Sequence, residues 1–474
     1  MGKLPLAGIR VIDLSSVFSG PLCTRVLADL GAEVIKVESI QRPDGARTLT
    51  TAENDPQDDQ LNRSAYFNKL NMNKRGITLD LTNPEGREIL KRLIMIADVL
   101  VENYNPRVMP RFGLDYSVLS KLRPELILAS LSGYGQEGPW AQWSAFGYDL
   151  EYACGLSYIS GYADGPPGKQ GINFTDPWAG VLAAGLIVAA LHQRQRTGKG
   201  QWIDLSQRDI GSSYIGETLM DCAMNGRVQG RIGNRHPSMA PHGVYRCAGG
   251  REWVAIAVAN DGQWRSLRAA LSGPDWAQDP QFDTLIGRLA KQDFIDQHLE
   301  AWTVQRDHYT AMRELQAAGV PAGAVLVNRE VMLDPHLRER GLYRIVENPN
   351  VGRRPYARQT PGWFSAWPEA GKEPRPAPTI GQHNEEVLGG LLGLGDEDLA
   401  RLADQQIIGV EAIVEKLPSE LVRQILKRRQ EDQRRVGKIE TIDPDYRTVL
   451  AALDPEKGSP SVSELPFSVG KSGK

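Results

Sequence analysis

The sequence lacks the marks of several familiar protein classes. Only four of its 474 residues are cysteines (Cys23, Cys154, Cys222 and Cys247), and no two of them form a CxxC pair. This spacing argues against a zinc site or a disulfide framework and favours a reducing compartment. The 55 Lys and Arg residues nearly balance the 58 Asp and Glu residues, so the composition does not indicate a nucleic-acid-binding protein.

Long hydrophobic runs are also missing. The longest apolar stretch, residues 181–191, is too short to span a bilayer. No apolar segment follows Lys3, as one would in a signal peptide. We therefore expect a cytoplasmic protein that binds neither membranes nor nucleic acid. The length of the chain favours two or three domains.

The first 40 residues predict a strand–helix–strand unit. Residues 9–14 and 32–38 are typical of parallel strands, and residues 21–30 between them have a helical pattern. The turn at residues 17–20 contains small residues but no GxGxxG fingerprint, so a simple NAD-dependent enzyme is not expected. A small-residue turn after the first strand is still the usual place for a phosphate-bearing ligand.

Strands and helices continue to alternate up to about residue 225. We predict an α/β fold in which a large doubly wound parallel-sheet domain is accompanied by a smaller α+β domain. The large domain comprises residues 1–225 and 326–400, and the small domain comprises residues 226–325. A strand at residues 320–325 is expected to return the chain to the large domain. Residues 401–474 are predicted to be a helical extension with a disordered end.

One carboxylate stands out in the segment 171–180. Asp176 precedes Pro177 and a long apolar run, which ends in the sequence RTGKGQ at residues 196–201. An Asp-Pro pair usually marks a helix start, with the aspartate as N-cap. An aspartate at a helix N-terminus can also be a nucleophile that a thioester can reach. We expect the helix dipole to keep this carboxylate ionised.

Several motifs occur together and in a fixed order. They are LAGIRVIDL (6–14), LGAEVIKVE (30–38), NKRG (73–76), VENYNP (101–106), RTGKGQ (196–201), AGVPA (318–322) and DPHL (334–337). From about residue 4 to residue 392 the chain thereby resembles the class III CoA-transferases, also called the CaiB/BaiF family. The resemblance implies a large α/β domain, a small domain, and two chains interlocked as a homodimer. It also implies transfer of coenzyme A from an acyl-CoA to a carboxylic acid, without a metal.

The resemblance also assigns roles to individual residues. It makes Asp176 the nucleophile, and it places the turn of Val17, Phe18 and Ser19 opposite, where its N–H groups would stabilise oxyanions. Tyr148 and Asp149 fall in a substrate-contacting loop. The residues expected to bind coenzyme A are Leu79, Asp80, Asn103, Tyr104, Asn105, Arg111 and Arg42. Arg42 or Arg47 is expected to replace an arginine that usually follows the second strand, because Ser39 stands there.

Two alternative functions stay open. Racemases of the same family pair the aspartate with a histidine in a Gly-His-Asp motif. The nearest match here has Tyr148 in the histidine position, and tyrosine is a poor base at neutral pH. The second alternative is an inactive partner subunit of a heteromeric transferase, against which the intact Asp176 argues.

The sequence does not identify the donor or the acceptor acid. Some members of the family have glutamine where Phe18 stands, so Phe18 favours a more apolar acid. Other aromatic residues near the expected site, Tyr148, Tyr158 and Trp178, favour a medium-sized or aromatic acid. Succinyl-CoA is one donor to expect.

Overall fold

Contacts within the chain divide it into two units. The computed structural model describes residues 4–54, 60–360, 362, 364–366, 374–413 and 419–454. Unit 1 consists of Met1–Gly155, Gly171–Gly216 and Pro335–Lys474, and unit 2 consists of Leu156–Gln170 and Glu217–Asp334. Residues 156–170, which the sequence places in the large domain, belong to unit 2. They are held there by long-range bonds such as Gly233 N–H to Gly161 O (2.9 Å), which no local pattern reveals.

Eleven strands form three sheets in the described part of the chain. The strands are β1 Arg10–Asp13, β2 Glu33–Glu38, β3 Arg75–Thr78, β4 Val99–Glu102, β5 Ile127–Ser132, β6 Trp202–Ser206, β7 His242–Arg246, β8 Trp253–Ala257, β9 Ala322–Ala324, β10 Tyr343–Asn348 and β11 Gly352–Ala357. The six strands β1 to β6 make one parallel sheet in unit 1, in the order β3-β2-β1-β4-β5-β6. The hairpin β10-β11 also lies in unit 1, and the antiparallel sheet β7-β8-β9 lies in unit 2.

Helices connect and cover these strands. In chain order they are α1 Ser19–Asp29, α2 Ala65–Asn71, α3 Pro84–Met95, α4 Val108–Phe112, α5 Tyr116–Leu122, α6 Gly147–Ala153, α7 Leu156–Ile159, α8 Thr175–Thr197, α9 Gln207–Tyr214, α10 Gly216–Asn225, α11 Asp261–Ala270, α12 Leu285–Ala290, α13 Gln292–Thr303, α14 His308–Ala317, α15 Asn328–Leu333, α16 Pro335–Glu339, α17 Gly390–Leu392, α18 Asp396–Asp404, α19 Ser419–Arg435 and α20 Tyr446–Leu453. Short 3-10 turns span Gly45–Thr48, Ala52–Asn54, Gln60–Asn62, Asp275–Gln278 and Pro280–Asp283, and a π-helical turn spans Glu385–Gly389.

Both faces of the parallel sheet are covered, which confirms the predicted α/β fold class. One face packs against α1 and α8 through residues such as Leu27 and Ala183. The other packs against α3 and α18 through residues such as Leu93 and Leu402. Parallel strands need this double covering because each strand is buried on two sides. The strand order reverses between β1 and β4, the kind of position where open α/β sheets bind ligands.

Two expectations about chain course meet different outcomes. The strand expected at residues 320–325 exists as β9, but it does not return the chain to the large domain. Ala322 pairs antiparallel with Ile256 of β8, so β9 completes the small sheet of unit 2. The predicted helical extension contains α19 and α20, while its expected disordered end lies outside the described residues.

The RTGKGQ motif terminates α8 and starts β6. Gly198 adopts a left-handed conformation (φ 70°), which ends the helix, and its N–H donates to Arg194 O at 2.8 Å. At Gly200 an added Cβ would come within 2.0 Å of Leu126 O, so only glycine lets the chain pass the segment before β5. The two glycines of the motif therefore have a structural cause.

Helix α8 is long and apolar enough to cross a membrane by length and composition alone. Core helices of globular domains share that property. Here Ala179, Ala183 and Ile187 are buried in the core between α8, α1 and the sheet. One face of α8 is thus used in packing against α1 and the sheet.

A network of buried charges lies under the carboxyl ends of β1 and β2. Lys74 Nζ is 2.9 Å from Asp13 Oδ2, and Lys36 Nζ is 2.9 Å from Asp44 Oδ2. Lys36 also donates to Ser15 O at 2.8 Å. Burial by itself would raise the pKa of Asp13, but the charges of Lys74 and Lys36, together with hydrogen bonds from Ser15 and Thr24, lower it. Each buried charge is stabilised by its partners, so the strands and the turns that carry them are coupled.

Replacing Lys74 with methionine is expected to destabilise unit 1 by about 3–5 kcal/mol, because Asp13 would lose a buried partner. The matched control is Lys91→Met on α3, whose ion pair with Glu88 is on the surface and should cost less than about 1 kcal/mol. Urea unfolding followed by circular dichroism measures both. Equal losses in the two variants would contradict the assigned importance of the buried network.

Candidate functional site

The helices and loops that carry the candidate site meet at one edge of the parallel sheet. In a doubly wound fold the covering helices run antiparallel to the strands, so their N-termini lie at the carboxyl ends of the strands. The N-termini of α1 and α8 therefore share this edge with the segments that follow β1, β2, β3 and β4. Phe18 precedes α1, and Asp176 is the second residue of α8.

Asp176 does not cap its helix. The N-cap position of α8 is occupied by Phe174, which offers no side-chain hydrogen bond, and Asp176 lies inside the first turn. Among residues 4–54, 60–360 and the other described segments, none donates a hydrogen bond to its carboxylate. The carboxylate is half-buried and its lone pairs are unoccupied by protein donors. The N-cap interpretation is therefore wrong, and the carboxylate is available for chemistry.

The absence of a side chain at Gly147 makes room for this carboxylate. A Cβ built on Gly147, the first residue of α6, would lie 2.2 Å from Asp176 Oδ2 and 2.7 Å from its Cγ. The neighbouring Thr175 fixes the same backbone, because its hydroxyl donates to Gly147 O at 2.9 Å. The start of α6 and the start of α8 are thus held together at a spacing that only glycine permits.

Burial dominates the electrostatics of Asp176. Loss of hydration raises its pKa to about 6, above the ordinary value for aspartate. At pH 7 the group is still mostly ionised, as expected from the sequence, but it is poorly solvated.

Tyr66 and Phe18 form an aromatic pair in the region of Asp176. Burial and, to a lesser extent, the charge of Asp176 raise the pKa of Tyr66 to about 12, so the phenol keeps its proton. Phe18 packs edge-on against Tyr66 with ring centroids 5.5 Å apart. One turn after Asp176, α8 crosses the start of α1 so closely that a Cβ on Gly180 would be 2.7 Å from Ser19 O. This crossing brings the start of α1 to the first turns of α8.

The turn predicted to stabilise oxyanions has an unusual backbone. Val17 has a φ of 67°, which is rare and strained for a β-branched residue. Its N–H donates to Asp44 Oδ1 at 2.9 Å, so that group is already used. Within the described chain the N–H groups of Phe18 and Ser19 have no acceptor. Those two groups, and not that of Val17, are free to meet a developing negative charge.

A cleft of about 870 Å³ opens at the carboxyl ends of β1 to β4. Such a volume suits a cofactor-sized ligand. The structure brings six of the seven residues predicted to bind coenzyme A into its lining: Leu79, Asp80, Asn103, Tyr104, Asn105 and Arg42. The seventh, Arg111, is exposed on α4, and its neighbours Val108 and Phe112 line the cleft instead.

The cations near this cleft differ in their availability. Arg47 is not available, because it forms a 2.7 Å ion pair with Glu38 and stacks over Phe67 at 3.5 Å. Lys36 lines the cleft but is paired with Asp44. Arg42 is exposed and has no carboxylate partner among the residues that the structure describes. Of the two replacements considered from the sequence, Arg42 is therefore the one that can meet a phosphate.

Some cleft residues also build the site. The side-chain amide of Asn103 donates to Ser16 O at 2.8 Å and accepts the Ser16 N–H at 2.9 Å. Asn103 thereby fixes the turn before α1 while it lines the cleft. Asp80 accepts the N–H and the hydroxyl of Thr82, which shapes the loop after β3.

On α6, Tyr148 and Asp149 directly follow Gly147, the residue next to the Asp176 carboxylate. Tyr148 is exposed, and its ring stacks on that of Phe146 at 6.3 Å. Asp149 Oδ2 accepts the N–H of Phe146 at 3.0 Å and so caps the start of α6. The structure gives Asp149 a structural contact, and any contact of Tyr148 with substrate stays a prediction.

A second cleft, of about 1000 Å³, lies within unit 2. Some of its charges are paired with one another: Arg235 pairs with Asp293 and Asp296, and the hydroxyl of Tyr245 donates to Asp296 at 2.8 Å. None of the residues predicted from the sequence for the site lines this cleft.

Sequence reasoning missed Tyr66, Asp44 and the steric role of Gly147. Tyr66 lies on α2, a helix that went unpredicted. The sequence feature that could have predicted this helix is Ser64, an N-cap whose hydroxyl accepts the N–H of Phe67 at 3.2 Å. The partnership of Asp44 with Lys36 and Val17 joins distant segments, so no local pattern could show it.

Comparisons with known proteins agree with this geometry. A model of the family described as "CoA-transferase family III" matches residues 6–384. The chain is 35% identical over 408 residues to the succinyl-CoA–D-citramalate CoA-transferase of Chloroflexus aurantiacus, covering 85% of this chain and 98% of that one. It is 35% identical over 386 residues to the succinate–glutarate CoA-transferase of Agrobacterium fabrum, covering 81% and 95%.

A solved structure has the same fold. A CaiB/BaiF family protein from Brucella suis superimposes with a TM-score of 0.73 at 32% identity, over 82% of this chain and all of that one. Family match, named relatives and fold all coincide over the residues that build the sheet, the cleft and the Asp176 helix. The chain belongs to the class III CoA-transferases, the CaiB/BaiF family, and is an enzyme of that family.

Proposed function

We propose that the protein moves coenzyme A from an acyl-CoA to a carboxylic acid, with Asp176 as the covalent nucleophile. The observation that carries this proposal is the state of the Asp176 carboxylate. It is half-buried, it lies in a gap shaped by Gly147, and the described residues offer it no hydrogen bond. A structural carboxylate at this depth would be expected to have hydrogen-bond partners.

The reaction proceeds through acyl exchange at this carboxylate. An Asp176 oxygen attacks the thioester carbonyl, the C–S bond breaks, and coenzyme A leaves as thiolate with its electron pair. The product is a mixed anhydride between Asp176 and the acyl group. The thiolate then attacks the aspartyl carbonyl, which yields an aspartyl-CoA thioester and releases the donor acid as carboxylate.

The second half repeats these steps with the acceptor. The acceptor carboxylate attacks the aspartyl-CoA thioester, forming a new anhydride and freeing the thiolate. Attack of the thiolate on the acceptor carbonyl gives the new acyl-CoA and restores the carboxylate of Asp176. No net proton is taken up or released. The N–H groups of Phe18 and Ser19, which have no acceptor among the described residues, would stabilise the tetrahedral oxyanions.

The cleft at the ends of β1 to β4 would hold coenzyme A. Leu79 and Tyr104 supply apolar surface, Asp80, Asn103 and Asn105 supply polar atoms, and Arg42 supplies a positive charge for phosphate. The cleft and Asp176 lie at the same carboxyl edge of one sheet. When coenzyme A occupies the cleft, its thioester would therefore extend along this edge toward Asp176.

We also propose that the enzyme acts in the cytoplasm as an interlocked homodimer. What supports the dimer in the structure is one face of α8, where Val181, Leu182, Leu186 and Val188 are exposed together. Contiguous exposed apolar residues are typical of an interface. The mass in solution, measured by light scattering, tests this part of the proposal.

Hydroxylamine is expected to trap Asp176 as a hydroxamate when the protein is incubated with its acyl-CoA, because anhydride and thioester are both reactive acyl groups. Mass spectrometry of peptides locates the adduct. Asp176→Asn should give no adduct and lose transfer activity by at least about 1000-fold, as expected for loss of a nucleophile. The matched control is Asp115→Asn, at the start of α5, where the carboxylate only caps a helix by accepting the N–H of Ser117.

Isotope exchange separates the alternatives. Exchange of α-protons of the acyl-CoA in heavy water, without an adduct at Asp176, would support a racemase and contradict the transferase. Binding of acyl-CoA with neither exchange nor adduct would support an inactive partner subunit.

Adduct formation should weaken as the pH falls through about 6. Burial raises the pKa of Asp176, so the protonated, unreactive form persists to higher pH than for an ordinary aspartate. At pH 5 only about one tenth of the carboxylate would be ionised. The measurement is the single-turnover rate of adduct formation at saturating acyl-CoA between pH 4.5 and 8. Saturation matters because Glu102, next to the cleft, has a pKa raised by burial to about 7 and could alter binding.

Stability gives an independent check of the same shift. The folded state holds the Asp176 proton up to about pH 6, whereas the unfolded state releases it near the ordinary aspartate pKa. Stability is therefore lost as the pH rises through this window. Asp176→Asn should be more stable than the parent protein at pH 7, by about 1–2 kcal/mol after allowance for partial exposure, with the gain fading below about pH 4. A flat rate profile together with no gain in stability would contradict the raised pKa.

Gly147→Ala is expected to lower the rate of adduct formation by about 100-fold, because the new methyl group would displace the Asp176 carboxylate. The matched control is Gly216→Ala, at the first residue of α10, where an added Cβ meets nothing within 4 Å. Single-turnover rates and the dissociation constant of coenzyme A are measured for both. Gly147→Ala should leave coenzyme A binding nearly intact, and an unchanged adduct rate would contradict the proposed steric role.

A further inference from the structure

One wall of the coenzyme A cleft belongs to a segment that leaves the sheet after β2. Residues 41–45 line the cleft, and the chain continues from there through a 3-10 turn to Glu53. Residues 40–53 are here called the rim segment. Thr50 and Glu53, near its far end, have φ values of 44° and 57°. Such values are uncommon outside glycine and persist only where neighbouring groups enforce them.

The start of the rim segment is held by the C-terminal part of the chain. The side-chain amide of Gln41 donates to Gln406 O at 2.7 Å, and Ile40 O accepts the N–H of Ile413 at 2.8 Å. Gln406 and Ile413 lie beyond residue 384, where the match to the family model ends. The C-terminal part of the chain therefore fixes one end of the cleft wall.

The far end of the rim segment is held by two arginines. Glu53 accepts a hydrogen bond from Arg354 of β11 at 2.5 Å and one from Arg447 of α20 at 3.3 Å. The side chain of Arg447 is 75% exposed. An exposed pair of this kind contributes less than about 1 kcal/mol, so Arg447 by itself does not hold α20 in place.

Helix α20 is anchored to the hairpin β10-β11 at its own C-terminal end. Asp454, directly after the helix, accepts two hydrogen bonds from Arg353 of β11, at 2.9 and 2.8 Å. The side chain of Asp454 is only 6% exposed, and Val449 and Leu453 of α20 are buried as well. A bidentate contact to a buried carboxylate is much stronger than a surface pair. Asp454 is therefore the residue on which docking of α20 depends.

A short path of hydrogen bonds connects the far end of the rim segment to the cleft wall. The N–H of Ala52 donates to Arg63 O at 2.9 Å. The next residue after Arg63 is Ser64, whose hydroxyl donates to Ala46 O at 2.7 Å. Ala46 adjoins Gly45, which lines the cleft. A displacement of the far end would therefore reach the wall of the cleft.

We propose that α20 together with Asp454 is a strap that positions the wall of the coenzyme A cleft. Asp454 is a positioning residue, which acts through Glu53 and the rim segment. This inference rests on the proposed binding of coenzyme A in that cleft. Linkage makes the effect mutual: if the docked strap raises the affinity for coenzyme A by some factor, bound coenzyme A favours the docked strap by the same factor.

The first test is Asp454→Asn in the full chain, which removes the charge and nearly keeps the shape of the side chain. The dissociation constant of coenzyme A should rise at least about 5-fold, the lower end of measured couplings between sites. Isothermal titration calorimetry measures it. The matched control is Asp432→Asn on α19, whose carboxylate forms an exposed pair with Arg435 at 3.5 Å. This control should bind coenzyme A as the parent protein does.

Hydrogen exchange tests the reverse direction of the coupling. Saturating coenzyme A should slow the exchange of the α20 amides in the parent protein by a similar factor, because exchange requires this helix to open. Mass spectrometry of peptides measures the exchange.

Two shortened chains separate the strap from the residues that follow it. A chain that ends at Glu440 lacks α20 and should bind coenzyme A at least as weakly as Asp454→Asn. A chain that ends at Gly458 keeps α20 and should bind it like the parent protein. Circular dichroism verifies that each chain folds.

Failure of the inference and failure of the proposed function give different results. The strap is overturned if coenzyme A leaves the exchange of α20 unchanged, or if the folded chain that ends at Glu440 binds coenzyme A as tightly as the parent protein. It is also overturned if Asp454→Asn lowers the melting temperature and leaves the dissociation constant unchanged, because Asp454 would then only stabilise the fold. A parent protein that binds neither coenzyme A nor acyl-CoA overturns the proposed function instead.

Discussion

The buried ion pairs beneath the turn at residues 15–18 are the constraint on which the site depends. Lys74 pairs with Asp13 and Lys36 with Asp44, all four out of contact with water. A charge at this depth is tolerated only with a partner, so the strand ends and the turns that carry these residues must keep their relative positions. Asp44 also accepts the N–H of Val17, which holds that residue in a left-handed conformation it would otherwise avoid. The turn before α1 is rigid for this reason, and the N–H groups of Phe18 and Ser19 have no acceptor among the described residues.

Asp176, the proposed nucleophile, is defined by the contacts that it lacks. Asp176 begins a helix without capping it, receives no hydrogen bond from the described residues, and fits only because Gly147 has no side chain. Burial of the carboxylate costs stability, as its raised pKa indicates, because the folded protein holds the neutral acid more easily than the carboxylate. The same burial leaves the carboxylate oxygens poorly solvated. The proposed reactivity of the site and its cost in stability thus have one physical origin.

The motifs that identify the family combine structure with chemistry. In RTGKGQ, Gly198 ends α8 and Gly200 lets the chain pass Leu126, so the motif fixes the helix whose other end carries Asp176. In VENYNP, Asn103 lines the cleft and also makes two hydrogen bonds to the backbone of Ser16. Family membership can therefore be recognised from residues that build the scaffold.

The sequence by itself determined the family, the α/β class, most strands of the parallel sheet and the position of Asp176. Apolar periodicity and spaced motifs are local features, so they can be recognised without knowledge of the fold. The sequence could not show that Asp176 is uncapped, that its pKa is raised, or that Arg47 is consumed by Glu38, because each depends on burial and on residues distant in the chain. The sequence also could not show that β9 joins the small sheet, because the residues of a short strand do not indicate which strand it pairs with. Only the tertiary structure set Tyr66 and Lys69 beside Phe18, since packing between α2 and the turn before α1 is a contact across the fold.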